Sequence, residues 1–312
     1  MKILMFGRGV INTQYAWALE QKGHRVHFYV RPGRAAEYGP AVTLDIYDAR
    51  RSARGVPVRR VWPVTLVEDL DADHDYDLII VSLQHYKFAQ AARFLSSRVG
   101  GATILAFNNF WDDPRTLLEG IPGDRMAWGF PAAGGGFRSD ASLRGAIFGQ
   151  VQFGTFGTDP TPRELAVRAV FKDAGFAIKE HRNFLDWLRV HFAVNAGLHM
   201  QALLLGEVAK LWGSRANARD TILNVRELIP LLRAKGVDTE RAGELTMFRL
   251  PLWLGSLAMT LAPRLNKPFR AVIEAIANLE ELRSFVHQMD VEAQNLNVST
   301  PRLKAAVPRV GE

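Results

Sequence analysis

The sequence predicts an α/β amino-terminal domain with a doubly wound parallel sheet, followed by an all-helical carboxyl-terminal domain. Short apolar runs that end in glycine or polar residues alternate with helical patterns in the first half, which is typical of βαβ units. Strand signals cease near residue 182, and helical patterns continue from there. The 312 residues also exceed what one ordinary core accommodates. We therefore expect two domains, residues 1–182 and 183–312.

The first strand and the turn after it indicate a nucleotide site. An apolar run at residues 3–6 has the length of a buried strand, Gly7-Arg8-Gly9 follows it, and a helix is expected from about residue 11. Glycine lets main-chain N–H groups approach a pyrophosphate, and the helix N-terminus adds free donors. The expected cofactor contacts here are Gly7, Arg8, Gly9, Val10 and Ile11. Asn12 stands where the G-x-G-x-x-G pattern has its third glycine, so an ordinary βα turn is the alternative.

The end of the second strand indicates which dinucleotide is bound. After an apolar run at residues 26–30 the chain continues Arg31-Pro32-Gly33-Arg34, and the next acid is Glu37. An NAD site usually has an acid here for the ribose hydroxyls, whereas guanidinium groups suit a 2′-phosphate. Arg31 and Arg34 therefore favour NADP(H) as cofactor. A solvated basic loop is the alternative.

Further strand ends supply polar residues to the same edge of the predicted sheet. Strong strands are expected at residues 78–83 and 103–107, with a helix at about residues 88–97 between them. Ligands of parallel α/β sheets bind beyond the carboxyl ends of the strands. By that rule one edge should collect Gly7, Arg31, Ser82, Gln84 and Asn108.

The remaining part of the first domain contains weaker signals. Short strand-like segments occur at residues 42–46, 56–61 and 126–130, and strands mixed with turns at residues 132–137 and 149–157. A helix should begin at Pro162, because Thr161 and Glu164 have the spacing of a capping box.

The second domain should begin with a long helix, or two in line, at residues 183–212. Its high apolar content predicts burial, yet four polar or amphipathic side chains recur on one face at every fourth residue: Trp187, His191, Asn195 and His199. Such a row could line a cleft, or its members could be satisfied polar residues of the core. We expect no zinc site, because His191 and His199 are about 12 Å apart along a helix.

Composition limits the classes of protein further. The net charge is +7, but the arginines are scattered without interleaved aromatic residues, so we expect no nucleic-acid partner. Cysteine is absent, which excludes disulfides and thiolate chemistry. No signal peptide or membrane span is evident, so a cytoplasmic location is expected.

Together these segments resemble the ketopantoate reductase family, NADP-dependent enzymes that reduce 2-dehydropantoate to pantoate for pantothenate biosynthesis. The resemblance rests on Gly7-Arg8-Gly9, on Arg31 with Arg34, on Val81-Ser82-Leu83-Gln84, on Phe107-Asn108-Asn109, on the helix from Trp187 to Asn195, and on Asn297-Val298-Ser299-Thr300-Pro301. It implies a Rossmann domain followed by a helical domain, with the active site between them.

The resemblance assigns roles to individual residues. It implies that Asn108 lies on the nicotinamide side, that Asn195 binds substrate, and that Glu281, or its neighbour Glu280, is the family's carboxyl-terminal acid, which we assign to the cofactor site. The chain also departs from the family pattern. His191 stands in place of the catalytic lysine, and His199 in place of a second asparagine. Gln84 and Lys87 occupy the positions of the family's cofactor-side lysine and glutamine, as if the two residues were exchanged.

Two more departures concern the substrate side. The family's Ser-Ser-Met segment is not recognisable at Phe269-Arg270, and Arg283 stands where the family has an aspartate. The cofactor half of the site is therefore expected to be preserved and the substrate half rewritten.

The resulting hypothesis is an NADPH-dependent reductase of a 2-oxo acid or related carbonyl compound. His191, if protonated near neutral pH, would donate the proton, Asn195 and His199 would orient the substrate, and Arg270 or Arg283 would bind its carboxylate. The alternatives are a non-catalytic or regulatory NADP-binding protein and an enzyme of different chemistry, such as an imine reductase. A homodimer could form through residues 250–262 with Phe248 and Trp253, or these residues could be core.

Overall fold

The computed structural model describes residues 1–276 and 278–307, which fall into two compact units. The first contains residues 1–109 and 113–184, and the second contains residues 110–112 and those from 185 onward. The sequence assigned residues 110–112 to the first domain, but Trp111 is buried in the helical unit, where its ring lies 6.0 Å from that of Phe192. The functional names given to the two domains stay predictions.

The described residues form strands and helices in a clear division. The strands are β1 Lys2–Phe6, β2 Arg25–Tyr29, β3 Ala41–Ala49, β4 Val56–Pro63, β5 Thr65–Val67, β6 Leu78–Val81, β7 Thr103–Phe107, β8 Met126–Phe130, β9 Ala133–Phe137, β10 Leu143–Phe148, β11 Gln150–Gly154 and β12 Ala177–His181. The helices are α1 Val10–Glu20, α2 Arg34–Tyr38, α3 Phe88–Ser96, α4 Pro162–Asp173, α5 Phe184–Leu205, α6 Arg215–Ala234, α7 Thr246–Arg249, α8 Leu252–Leu265, α9 Lys267–Ala275, α10 Leu279–Asn295 and α11 Pro301–Ala306.

The main sheet has the strand order β12-β11-β8-β7-β6-β1-β2-β5. β1 pairs in parallel with β2 on one side and with β6 on the other, and β6 pairs in parallel with β7. Successive strands are thus added first on one side of β1 and then, from β6 onward, on its other side. The boundary between β1 and β6 is therefore the switch point where doubly wound sheets bind ligands. The predicted fold class is confirmed. The carboxyl ends of β1, β2, β6 and β7 lie at one edge.

A second, four-stranded sheet has the order β4-β3-β10-β9 and was missed by the sequence analysis as a unit. β3 pairs in parallel with β10, matching Leu44 with Leu143 across a long separation along the chain. β9 and β10 pair where Gly135 faces Gly145. A Cβ on Gly135 would lie 2.1 Å from the carbonyl oxygen of Arg144, so this close approach requires glycine.

α4 begins as the sequence predicted. The hydroxyl of Thr161 accepts from the N–H of Glu164, and the carboxylate of Glu164 accepts from the N–H of Thr161 at 2.8 Å. Both bonds of the capping box are present, with Pro162 in the first turn.

The helical unit packs around α5, α6 and α10. α5 ends at Leu205, earlier than predicted, because Gly206 adopts a left-handed conformation (φ +70°) and a short 3₁₀ turn, Val208–Trp212, follows. The core of the helical unit includes Phe192, Leu228 and Val286. Within the described ranges no single helix is long and apolar enough to cross a membrane, although Gly243–Arg249 and Leu252–Leu265, bent by 114°, pass that test jointly by length and composition.

The carboxyl-terminal segment that contributed to the resemblance has a structural role. Asn297 adopts a left-handed conformation (φ 52°) after α10, and the N–H of Val298 donates to the carbonyl of Ala293 at 2.9 Å. Glu227 of α6 then accepts from the N–H groups of Arg302 and Leu303 at 2.9 and 2.8 Å. A carboxylate at a helix N-terminus satisfies donors that would otherwise lack partners. Glu227 thus fixes α11 to the helical unit.

We expect Glu227→Ala to lower the free energy of unfolding of the helical unit by about 1–3 kcal/mol, because two main-chain donors lose a charged acceptor. Chemical denaturation followed by tryptophan fluorescence measures this. Glu227→Gln keeps one acceptor oxygen and should lose less. Equal losses in the two variants would contradict the role of the paired oxygens.

Candidate functional site

The glycine turn lies at the switch point of the main sheet. Gly7 has φ +94°, and its N–H donates to the carbonyl of Tyr29 at 2.9 Å, which ties the turn to the end of β2. Gly9 is the N-cap residue of α1 and provides no side-chain cap. A Cβ on Gly9 would have no atom within 4 Å, so open space adjoins the first turn of the helix. Free N–H groups beside open space suit a phosphate.

Asn12 explains the departure from the three-glycine pattern. Its side-chain amide donates to the carbonyls of Phe6 and Gly7, both at 2.9 Å, and the residue is buried. The sequence analysis counted Asn12 as a departure from the pattern, whose third glycine serves close helix–strand packing. In the structure, the two hydrogen bonds of Asn12 fix the carbonyl groups at the start of the turn, while the turn itself remains open.

The basic segment after β2 is built around Glu68, which the sequence analysis did not single out. The Glu68 carboxylate accepts from the N–H of Ala35 at 2.7 Å, and this bond with a second one from Gly33 lowers the pKa of that carboxyl. Arg34 lies within 2.6 Å of a Glu37 oxygen and donates to the Tyr38 hydroxyl at 3.3 Å. Arg31 is exposed. Of the two predicted guanidinium groups, Arg34 therefore already has protein partners.

Two asparagines after β7 present amide atoms without protein partners. Asn108 is 3% exposed, and its amide donates to the carbonyl of Leu83 at 2.5 Å, which joins the ends of β6 and β7. Its side-chain oxygen and both side-chain polar atoms of Asn109 have no hydrogen-bond partner among the described residues. Buried polar atoms are normally bonded, so these three fit an amide-bearing ligand.

The other predicted residues of this edge are less constrained. Ser82 and Gln84 are half-buried just beyond β6, and Lys87 is exposed at the N-terminus of α3, with its ammonium 5.4 Å from the Tyr86 ring. They share the edge with Gly7, as predicted. Their contacts with a cofactor stay predictions.

The polar row of α5 is present in the helical unit. The ring of Trp187 stacks on that of His191, with centroids 5.1 Å apart and planes 16° apart, and the ring of His199 meets Phe285 edge to face at 4.9 Å. Asn195 is half-buried. Burial lowers the pKa of His191 to about 4, against the weaker opposite effect of the Glu244 carboxylate. The lowered pKa favours a neutral ring at pH 7 over the imidazolium that the sequence analysis considered.

Glu244 is a second residue that the sequence analysis missed. The indole N–H of Trp187 donates to its carboxylate at 2.5 Å, so Glu244 also fixes the ring that stacks on His191. Sequence spacing offered no signal for it, because 57 positions separate the two residues.

The remaining substrate-side candidates lie on the later helices. Glu280 and Glu281 are in the first turn of α10, where Asn278 caps the N–H of Glu281 at 3.4 Å. Arg270 is 3.9 Å from Glu274 on its own helix, and the Nε of Arg283 is buried without a hydrogen-bond partner among the described residues. Among the described residues, no group of three or more histidine, aspartate or glutamate side chains could hold a metal ion.

The fold and the open glycine turn define the class: a two-domain protein whose first domain is of the Rossmann type. Comparison with known proteins then identifies the family. Residues 3–157, just under half of the chain, match the family model described as Ketopantoate reductase PanE/ApbA. The resemblance inferred from the sequence is confirmed.

Individual relatives agree with this assignment. A 2-dehydropantoate 2-reductase of Halobacterium salinarum is 28% identical over 116 residues, which cover 37% of this chain and 38% of that relative. The match thus spans well under half of the curated relative's length.

Two solved structures share the fold over the whole chain. A D-mandelate dehydrogenase has a TM-score of 0.70 at 14% identity, covering 100% of this chain and 97% of that one. The 2-dehydropantoate 2-reductase of Geobacter metallireducens GS-15 also has a TM-score of 0.70 at 14% identity, covering 100% and 99%.

Asn12→Ala should lower the free energy of unfolding by about 1–3 kcal/mol, because the carbonyls of Phe6 and Gly7 lose their buried donor. Asn12→Asp should cost at least as much, since an ionised carboxylate cannot donate to a carbonyl. Chemical denaturation of the three proteins measures both. Wild-type stability in Asn12→Ala would show that the turn does not depend on these two hydrogen bonds.

The lowered pKa of His191 predicts a pH-dependent stability. Between about pH 6.5 and 4 the unfolded chain binds a proton that the folded ring does not, so stability should fall as pH falls through this window, by roughly 3 kcal/mol in total. Urea denaturation at pH 7.5 and pH 4.5 measures the difference. His191→Gln should reduce it, while burial of His85, whose pKa is also lowered to about 4, leaves a remainder. An unchanged pH dependence in His191→Gln would refute the assignment.

Proposed function

We propose that the protein is an NADP(H)-dependent oxidoreductase that reduces a 2-oxo acid or related carbonyl compound to the alcohol. The observation that carries the proposal is the open glycine turn at the switch point, with basic side chains on the segment after β2. A phosphorylated dinucleotide fits these residues, because the turn offers main-chain donors and the arginines offer charge.

Each end of such a cofactor finds matching groups in the first unit. The turn from Gly7 to Ile11 would hold the pyrophosphate, and Arg31 would hold the 2′-phosphate. The orphaned amide atoms of Asn108 and Asn109 suit the carboxamide of the nicotinamide, which both donates and accepts hydrogen bonds. Ser82, Gln84 and Lys87 belong to the proposal through their place at this edge of the sheet and the family resemblance, and Glu281 through the resemblance alone.

The bound cofactor would supply a hydride to the carbonyl carbon of the substrate. The carbonyl oxygen gains negative charge in this reaction and needs a hydrogen-bond donor. A neutral imidazole can serve as that donor, so His191 would stabilise the charge through an N–H group instead of acting as a cation. The alkoxide would then take its proton from solvent water to give the alcohol. Asn195 and His199 would orient the substrate, and Arg283 would bind a carboxylate.

Two structural neighbours support the proposal of 2-oxo acid chemistry on this scaffold. One neighbour is D-mandelate dehydrogenase with NADH and anilino(oxo)acetate, and another is 2-dehydropantoate 2-reductase. The first ligand is an oxo acid derivative and the second name specifies a ketoacid reductase. Because the D-mandelate dehydrogenase structure contains NADH, NADH is the necessary comparison in every binding test.

A second candidate function is a non-catalytic NADP-binding protein. The feature that favours it is the burial that lowers the pKa of His191, because a neutral ring would then stand where the resemblance implies a lysine. A purified protein that binds NADPH and oxidises none of it across a panel of 2-oxo acids would support this candidate.

The remaining expectations stay predictions: a cytoplasmic location, no nucleic-acid partner and a homodimer. Phe248 is 3% exposed and belongs to the core, so it cannot form a dimer interface. Trp253 and Leu265 of α8 are 64% and 82% exposed and are available for one.

His191→Ala should lower kcat/KM for NADPH-dependent reduction of a 2-oxo acid by about 10²–10³-fold, as loss of one oxyanion donor does. The ring is neutral across pH 6–8, so kcat should not fall as pH rises through 6.5. Spectrophotometric NADPH oxidation against a substrate panel measures both.

The control for this experiment is His287→Ala, which removes an exposed histidine of α10 and should leave turnover unchanged. Full activity of His191→Ala would remove His191 from the mechanism. A loss of activity centred on pH 6.5 would restore the imidazolium that the buried environment argues against.

A further inference from the structure

Arg8, the residue between the two glycines of the turn, has an unusual environment. Its guanidinium lies 4.3 Å from the centroid of the Tyr38 ring and 5.1 Å from that of Phe137. Its Nε is buried without a hydrogen-bond partner, and no carboxylate of the described residues forms an ion pair with it. Two aromatic rings from distant parts of the chain thus hold a planar cation that lacks an anion.

The charge of Arg8 is poorly compensated by the protein. Burial lowers its pKa from the ordinary value, and the only charge interaction that opposes this comes from Tyr38. A partly buried cation is costly unless it is paired. Arg34 differs, because it already pairs with Glu37 and also lies 5.0 Å from the Tyr38 ring. Of these two cations, Arg8 is the one available to an anionic ligand.

The positions of the Tyr38 and Phe137 rings indicate which anion would suit Arg8. Tyr38 ends the short helix α2 that follows β2, the part of a Rossmann sheet that faces the adenosine ribose. Phe137 ends β9 of the four-stranded sheet, so that sheet also contributes a wall to the same place. We propose that Arg8, held by Tyr38 and Phe137, binds the 2′-phosphate of the adenosine together with Arg31 and determines the preference for NADPH over NADH. This proposal rests on the proposed function.

The test is isothermal titration of the purified full chain with NADPH and with NADH. Arg8→Ala should lower the ratio of NADPH affinity to NADH affinity by about 10–100-fold, since one charge-assisted bidentate contact is lost. Arg8→Lys keeps the charge but not the planar fork, and should lower the ratio less. Tyr38→Ala removes the ring that orients Arg8 and should lower the ratio, whereas Tyr38→Phe should retain it.

Arg25→Ala, an exposed arginine of β2, is the control for general loss of positive charge and should leave the ratio unchanged. An unchanged ratio in Arg8→Ala, with NADPH still bound by the wild type, would overturn the role of Arg8 while leaving the proposed function intact. Equal losses for both nucleotides would instead assign Arg8 to the pyrophosphate and overturn the 2′-phosphate assignment. A wild type that binds neither nucleotide would refute the proposed function itself.

Discussion

The hydrogen bonds from Asn12 to the carbonyls of Phe6 and Gly7 are the constraint on which the first unit depends. In the proposed function the N–H groups of this turn that face the phosphates must stay free, so the rigidity of the turn has to come largely from its carbonyl side. A third glycine achieves close packing by removing a side chain. Asn12 achieves the same result by adding a buried one, whose two donors fix the turn from below. The bond from Gly7 to Tyr29 then sets the turn against the end of β2.

The helical unit follows a different electrostatic principle. Its long helix buries an imidazole against Trp187 and Glu244, and the environment favours the neutral ring. A lysine at this position would have to carry its charge into the same apolar surroundings, or lose its proton. In the proposed function, where His191 takes the place of the family's lysine, a neutral donor would match the burial of this face. Its N–H group would stabilise developing charge without supplying a full positive charge.

The sequence predicted those parts of the fold that local patterns encode. The runs of β1, β2, β6 and β7 are apolar and end in recognisable turns, and the capping box of α4 is a contact between near neighbours. The roles of Glu68, Glu244 and Phe137 were missed because each depends on contacts between residues far apart in the chain. The protonation state of His191 was also beyond prediction, since a reference pKa contains no information on burial. The spacing of the residues identified the polar row on α5, whereas the charge of His191 depends on how the ring is packed.

The parallel pairing of β3 with β10 has a consequence for synthesis of the chain. β3 and β4 can form a hairpin early, but the other edge of β3 has no partner until β10 has been made. Closing so long a loop is slow relative to local pairing. During translation the nascent chain therefore carries an open strand edge beside Val42, Leu44 and Ile46, residues that end up fully buried. Such an edge is where newly made chains aggregate or recruit chaperones.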